Sequence, residues 1–448
     1  MKYQSQQVAK LYFYGAMLVF TLQIAFGLLG AINYVAPTLI PVEILPFSVA
    51  RMVHTNAAIV WMLMGFFGSA YYLLPEETEN ELYSVPLAKI QFWVFLIAAI
   101  VIVVGYLFGN YDGRSYLEQP WYLKVGIVIV ALVFLFNCSM TVLRGRKTVI
   151  SNILLLGLWG IAIFFLFAFY QPANIVIDKM FWWWVVHLWV EGVWELVLAA
   201  ILAFLMIKLT GIDREIVEKW VYIIAGTALF TGILGTGHHY YWIGTPGYWQ
   251  WIGSVFSALE PLPFFAMVVF AFLMVWKGGR EHPNKAALLW SLGCAVVSFF
   301  GAGVWGFLHT LAPINYYTHG TQVTAAHGHL AFYGAYAMIN LAMITYAMPQ
   351  LLGRAPYNQM LNMWSFWLLT SGVVFMSVTL TFAGVLQTHL EHVMGMDFME
   401  VQQQLLLFYW MRLIGGVVTA IGAVLFIAAI VLPPKEETVA KVSFAPAE

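Results

Sequence analysis

The sequence predicts an all-α integral membrane protein of about twelve transmembrane helices, and three observations predict it. The 448 residues are 62% hydrophobic and only 9% charged, whereas a water-soluble domain carries about a quarter of its residues charged. The apolar residues gather in runs long enough to cross about 30 Å of hydrocarbon as helix. The connections between runs are short, so no soluble domain is inserted. Residues 1–448 therefore read as a single transmembrane domain with a short polar, flexible tail at 433–448.

In order, the runs cover 11–33, 50–74, 88–108, 122–143, 149–170, 179–208, 217–243, 252–276, 286–311, 323–350, 360–388 and 404–432. No internal repeat relates them. The first follows Lys2 and Lys10 as a signal peptide would, but it is too long for an h-region and is expected to remain as an uncleaved span. Twelve crossings put both termini on one side, and fifteen of the twenty Lys and Arg residues fall there. The other side has Arg51, Arg114, Lys124, Lys179 and Arg412. By the positive-inside rule both termini are cytoplasmic.

Composition also excludes some functions. A net charge of −1 without a basic patch gives no footprint for nucleic acid. Cys138 and Cys294 stand alone in apolar runs and read as small packing residues. No Cys-x-x-Cys-His occurs, which excludes covalently attached haem.

Ten of the eleven histidines lie toward the outer face on this topology; only His282 is cytoplasmic. His54, His187, His238, His239, His327 and His329 fall inside spans at similar depth. Core histidines scattered for packing would not form such a layer. Ligands for metal or haem near the outer leaflet would.

The stretch AAHGHLAFYGAY, residues 325–336, is the centre of this layer. Successive helical residues turn by about 100°, so His327 and His329 point to nearly opposite faces. From an intact helix they cannot share one ion. Each can hold its own centre, one on either side, and the small residues Ala325, Ala326, Gly328 and Ala331 leave room for flat, bulky groups. Two buried histidines bonded to nearby carbonyls would account for this motif taken alone.

Three further stretches carry chemistry. In WWWVVHLWVEGVWEL, His187 and Glu191 are four apart and share a helix face, with Glu195 one turn on. A carboxylate at bilayer depth costs roughly 2.5–3.5 kcal/mol even on lenient scales, so Glu191, Glu195 and Glu260 point to function. In TGHHYYWIGTPGYW, His238 and His239 can reach one ion only if the helix end adapts, which Gly235, Gly237, Gly244 and Pro246 permit. Three imidazoles and one carboxylate suit iron(II) better than copper(I), with zinc still open. In SVFSALEPLPFF, Glu260 precedes Pro261 at a helix start, as a proton carrier or a partner to a metal ligand.

Across these stretches the chain resembles the large catalytic subunits of bacterial cytochrome c-dependent nitric oxide reductases, in the haem-copper oxidase superfamily. The motifs RMVHTN, HLWVEGVWE, GTGHHY, SALEPLPFFAM, GAGVWGFLHTLAPINYYTHGTQ and TAAHGH carry the resemblance and run through essentially all twelve spans. The resemblance implies a haem-copper oxidase subunit I-like bundle in the bacterial cytoplasmic (inner) membrane, with its active site toward the periplasm. It implies that His54 and His329 are axial ligands of a low-spin haem b and His327 the ligand of a high-spin haem b (b3). His187, Glu191, His238 and His239 would hold a non-haem iron, and Glu195 and Glu260 would support it and deliver protons. Glu118, in GRSYLEQP, would join a calcium ion.

The implied activity is reduction of two NO to N2O and water, with electrons from a membrane-anchored cytochrome c subunit. In the common respiratory oxidases the residue four after the first histidine ligand is tyrosine. Glu191 in that place is similar to nitric oxide reductases. Quinol-dependent members carry a large N-terminal extension that this sequence lacks. The alternatives are an oxygen-reducing haem-copper oxidase of the C-family and, from another class, a proton or metal transporter with a histidine-lined site.

Overall fold

A computed structural model describes residues 2–354 and 358–432. The polar tail expected at 433–448 lies outside the described residues. Among them there is no strand, and twelve helices are long and apolar enough to cross a membrane. In lipid the backbone has no water to bond, so every span meets its own hydrogen bonds as helix.

The spans are Gln4–Val35, Phe47–Thr78, Val85–Leu107, Trp121–Arg144, Val149–Phe169, Ile175–Thr210, Arg214–His239, Tyr248–Lys277, Lys285–Thr310, Gln322–Leu351, Gln359–Val393 and Leu406–Val431. Sequence expectation and structure agree span for span. The seventh stops at His239 instead of running on to 243, because its last turn tightens to a 3-10 turn over Thr236–His239. The first and last described residues lie at one end of the bundle, where Gln7 donates to the Leu351 carbonyl and Asn358 to that of Leu432.

The second, sixth and tenth spans are the most enclosed. They carry His54, His187 with Glu191, and His327 with His329. The remaining spans wrap them and turn apolar side chains such as Ile97, Leu132, Phe230 and Trp276 outward. Spans eleven and twelve meet backbone to backbone: a Cβ on Gly372 would stand 2.5 Å from Thr419 Oγ1, and one on Gly422 would stand 2.6 Å from Leu369 N. Small residues at such contacts bring membrane helices close enough for dispersion forces to hold them.

Three spans are interrupted by π turns, at Trp189–Val193, Phe299–Trp305 and Tyr333–Ala337, and the eleventh ends on one at His389–Val393. Each inserts a residue into the helical ladder and re-aims the side chains beyond it, a device concentrated at functional sites. The first sits between His187 and Glu195 and contains Glu191.

Candidate metal centre

His187, Glu191, His238 and His239 each offer a ligand atom, and the four atoms lie within 4.8 Å of one another. Among the described residues this is the one group of three or more potential ligands brought together so closely. The sixth span supplies the first two. They sit four apart, but Glu191 has φ −105° and ψ 25°, outside helical geometry, because the π turn passes through it. The displaced Glu191 carbonyl presses against Gly232, where a Cβ would lie 1.5 Å from the oxygen. The freed carbonyl of Val190 accepts from the Tyr336 hydroxyl of the tenth span.

The 3-10 turn supplies His238 and His239. The sequence assigns Gly235 and Gly237 the task of letting the helix end adapt. Gly235 keeps helical angles, φ −56° and ψ −27°, and the two glycines work by leaving space. A Cβ on Gly235 would sit 2.1 Å from Glu260 Oε1, and one on Gly237 would sit 2.9 Å from the Trp249 ring.

Hydrogen bonds select which atoms face inward. His187 Nε2 bonds the Gly232 carbonyl at 2.8 Å, leaving its Nδ1 buried with no hydrogen-bond partner and 3.6 Å from Glu191 Oε2. His238 Nδ1 bonds Ser257 Oγ at 2.8 Å, so its Nε2 points to His239 Nε2 at 2.9 Å and Glu191 Oε2 at 4.0 Å. His239 stacks on Trp183 with ring centroids 3.5 Å apart and planes 10° from parallel. An orphaned buried nitrogen and two imidazole nitrogens facing each other are what one ion resolves. Bonds of about 2.0–2.1 Å from each donor place ligand atoms up to about 4 Å apart, so a group spread over as much as 4.8 Å draws in slightly to seat one ion. The residues present therefore fit a metal, and the tethers on their outer nitrogens are the usual way such ligands are aimed.

Two more carboxyls border this group. Glu260 immediately precedes the helix Pro261–Lys277 without capping it, and its Oε1 lies 3.8 Å from His238 Nδ1 without a hydrogen-bond partner. Glu195 is 3% exposed, and its Oε2 is also unpartnered. Glu260 faces Glu191, and Glu195 lies within electrostatic reach of both.

The HGH histidines diverge as expected. His327 Nδ1 donates to the Gly301 carbonyl at 3.0 Å and lies within electrostatic reach of Glu191 and His238. His329 Nδ1 donates to the Ala325 carbonyl at 2.7 Å, and its ring faces His54 with centroids 6.1 Å apart. His54 Nδ1 is tied to the Gln23 carbonyl at 2.8 Å. All three rings thus present Nε2. The 6.1 Å between His54 and His329 matches a metal held by both at about 2.0 Å per bond, so this pair fits a bis-histidine haem. Gly27 keeps the His54 side open, since a Cβ there would lie 2.7 Å from that ring.

His309 stands near His327 without joining the ligand group. Its ring is held by Thr318 Oγ1 at 2.9 Å and Thr324 Oγ1 at 3.1 Å, 6.1 Å from the His327 ring. His319 lies in the connection between the ninth and tenth spans, also outside the group. Glu118 lies apart too. It is 2% exposed rather than solvated, accepting from Asn56 at 2.8 Å with Arg51 at 3.5 Å. Those donors do not fit calcium, which takes six to eight oxygens.

Sequence reasoning missed the tethering partners. The carbonyls of Gly232, Gln23 and Gly301 leave no sequence signal. Ser257 does, standing one turn before Glu260, and Trp183 lies one turn before His187.

Comparison with known proteins gives the chain a family. The family model described as cytochrome C and quinol oxidase polypeptide I matches residues 7–418. The chain is 56% identical to the B subunit of nitric oxide reductase from Stutzerimonas stutzeri, covering 95% of this chain and 94% of that one. It is 25% identical to a cytochrome c oxidase subunit 1 homolog of Agrobacterium tumefaciens, over 89% of this chain and 78% of the relative. It is 23% identical to cytochrome c oxidase subunit 1 of Rhodobacter capsulatus, over 85% and 76%.

Proposed function

We propose that this chain, which belongs to the cytochrome c and quinol oxidase polypeptide I family, is the catalytic subunit of a nitric oxide reductase, an oxidoreductase joining two NO molecules into N2O and water with two electrons and two protons. The observation that carries this reading is the donor set: Glu191 joins three imidazoles where the ligand atoms lie within 4.8 Å. An oxygen donor beside nitrogen favours iron over copper(I). The 56% identity with the Stutzerimonas stutzeri nitric oxide reductase chain supports the same chemistry.

In this reading His187, Glu191, His238 and His239 would hold a non-haem iron, and His327 would hold a high-spin haem b. When bound, that pair of irons supplies electrons and Lewis-acid sites to two small neutral ligands side by side. The protein's own contribution is positional. Gly232 O, Ser257 and Trp183 fix the imidazoles, and the enclosed bundle excludes bulk water. Glu195 and Glu260, each with an unpartnered oxygen, hold protons beside the site and release them to the product oxygen.

His54 and His329 would hold a low-spin haem b, which supplies one-electron transfer chemistry when bound, and a membrane-anchored cytochrome c subunit would be the electron donor. The distribution of Lys and Arg supports cytoplasmic termini in the bacterial inner membrane, with the site toward the periplasm.

The test is turnover by the purified complex with its electron-donating subunit. N2O formation from NO should outpace O2 reduction at the same electron supply. Faster O2 reduction with copper at the His187 site would assign the chain to the oxygen reductases.

A further inference from the structure

The loop between the third and fourth spans is built as a rigid bracket. Arg114 donates to the carbonyls of Ala168 at 3.2 Å and Tyr170 at 2.8 Å and pairs with Asp178. Trp182 Nε1 donates to the Ser115 carbonyl at 3.0 Å, and Lys124 pairs with Asp112 at 3.0 Å. Tyr116 is held at φ 67°, a left-handed conformation that L residues adopt only when surroundings impose it.

This bracket delivers Glu118 to the second span. Glu118 Oε2 accepts from Asn56 Nδ2 at 2.8 Å, and Oε1 lies 3.5 Å from Arg51 Nη2. The other Asn56 hydrogen goes to the Met52 carbonyl at 2.9 Å, and its Oδ1 accepts from Gln119. Arg51 and Asn56 stand three residues before and two after His54. A carboxylate brought from a separate loop thus grips the one helical turn that carries this imidazole. Charge matters as much as grip, because a buried anion beside a redox centre acts through a low dielectric.

The same contacts argue against a cation at Glu118. Its neighbours are an amide donor and a guanidinium, and no other carboxylate joins it in a ligand group among the described residues. Calcium takes six to eight oxygens, and the Arg51 guanidinium repels a cation.

We propose that Glu118 is a positioning residue for the low-spin haem, fixing the His54 turn through Asn56 and Arg51 and setting the local charge, and that its carboxylate binds no calcium. The proposal rests on the assignment of His54 and His329 to that haem. Removing the anion while Arg51 stays must favour the reduced haem. Removing Arg51 while the anion stays must favour the oxidised one.

The experiment is a spectroscopic redox titration of the purified complex as Glu118→Gln, Arg51→Met and unmodified protein, the last also after chelator treatment. The low-spin midpoint potential is expected to rise in Glu118→Gln and fall in Arg51→Met, with a smaller shift at the high-spin haem. Chelator should leave the unmodified protein's spectrum and potential unchanged. An unshifted potential in Glu118→Gln would overturn the proposal. So would chelator removing one calcium per chain and reproducing the Glu118→Gln shift. If Glu118→Gln does not assemble, the chelator arm and the direction of the Arg51→Met shift decide. Absence of a low-spin haem from the unmodified protein would instead defeat the underlying assignment.

Discussion

His54 of the second span and His329 of the tenth face each other with ring centroids 6.1 Å apart and planes inclined by 32°. His327, two residues from His329, turns the other way and is tied to the Gly301 carbonyl. On the proposed assignment one helix serves two centres, and the two substitutions should separate. His329→Ala should abolish the low-spin haem spectrum and leave the high-spin signal. His327→Ala should do the reverse, as read by optical and paramagnetic resonance spectra. Loss of the opposite signal in either variant would exchange the assignments.

Glu191→Ala removes the oxygen donor and leaves three imidazoles, a set that accepts copper or zinc. NO turnover should fall on the order of 100-fold or more, as when a single preorganised group is lost from an active site. Both haems should remain. Full activity at normal iron content would show that the carboxylate is dispensable.

Gly232→Ala tests whether the π turn is needed. The new Cβ would lie 1.5 Å from the Glu191 carbonyl oxygen, an overpacking that costs about 1–3 kcal/mol or more. The variant should melt earlier and retain less non-haem metal while keeping the His54–His329 haem. Unaltered melting and metal content would mean that the turn relaxes freely.

Protons and electrons are both expected from the side opposite the termini, so turnover should build no membrane potential. Glu195 and Glu260 are buried beside the metal ligands. Toward the terminal end the next carboxylates are already engaged. Glu77 is gripped by Arg214 at 2.6 and 3.0 Å and by Thr148 at 2.6 Å, and Glu76 pairs with Lys208. Charged relays mark ion paths through membranes, and none continues from these pairs into the terminal half among the described residues. Liposomes with the opposite face outward and pH dyes on each side give the measurement. Proton loss from the lumen, or a potential generated by NO reduction, would contradict this; each charge moved would couple to about 2.3 kcal/mol per 100 mV.

The spans are readable because length and hydropathy decide what crosses a bilayer. The tenth, expected at 323–350, is Gln322–Leu351. The ligand types are readable because ionisable groups in hydrocarbon are costly, so His187, Glu191 and His327 stand out. Their aiming is not. The π turn at Trp189–Val193 arises from packing against Gly232 and Tyr336, far off in sequence. The resemblance offers Glu118 only as a calcium ligand, and its contact with Asn56, sixty-two residues away, leaves no local signal. Local pattern carries no trace of such a meeting.

The most direct test is metal and haem quantification of the purified protein. Two b-type haems and one non-haem iron per chain are expected, with the non-haem iron lost selectively in Glu191→Ala. Copper in place of that iron, or a colourless protein without haem, would contradict this expectation.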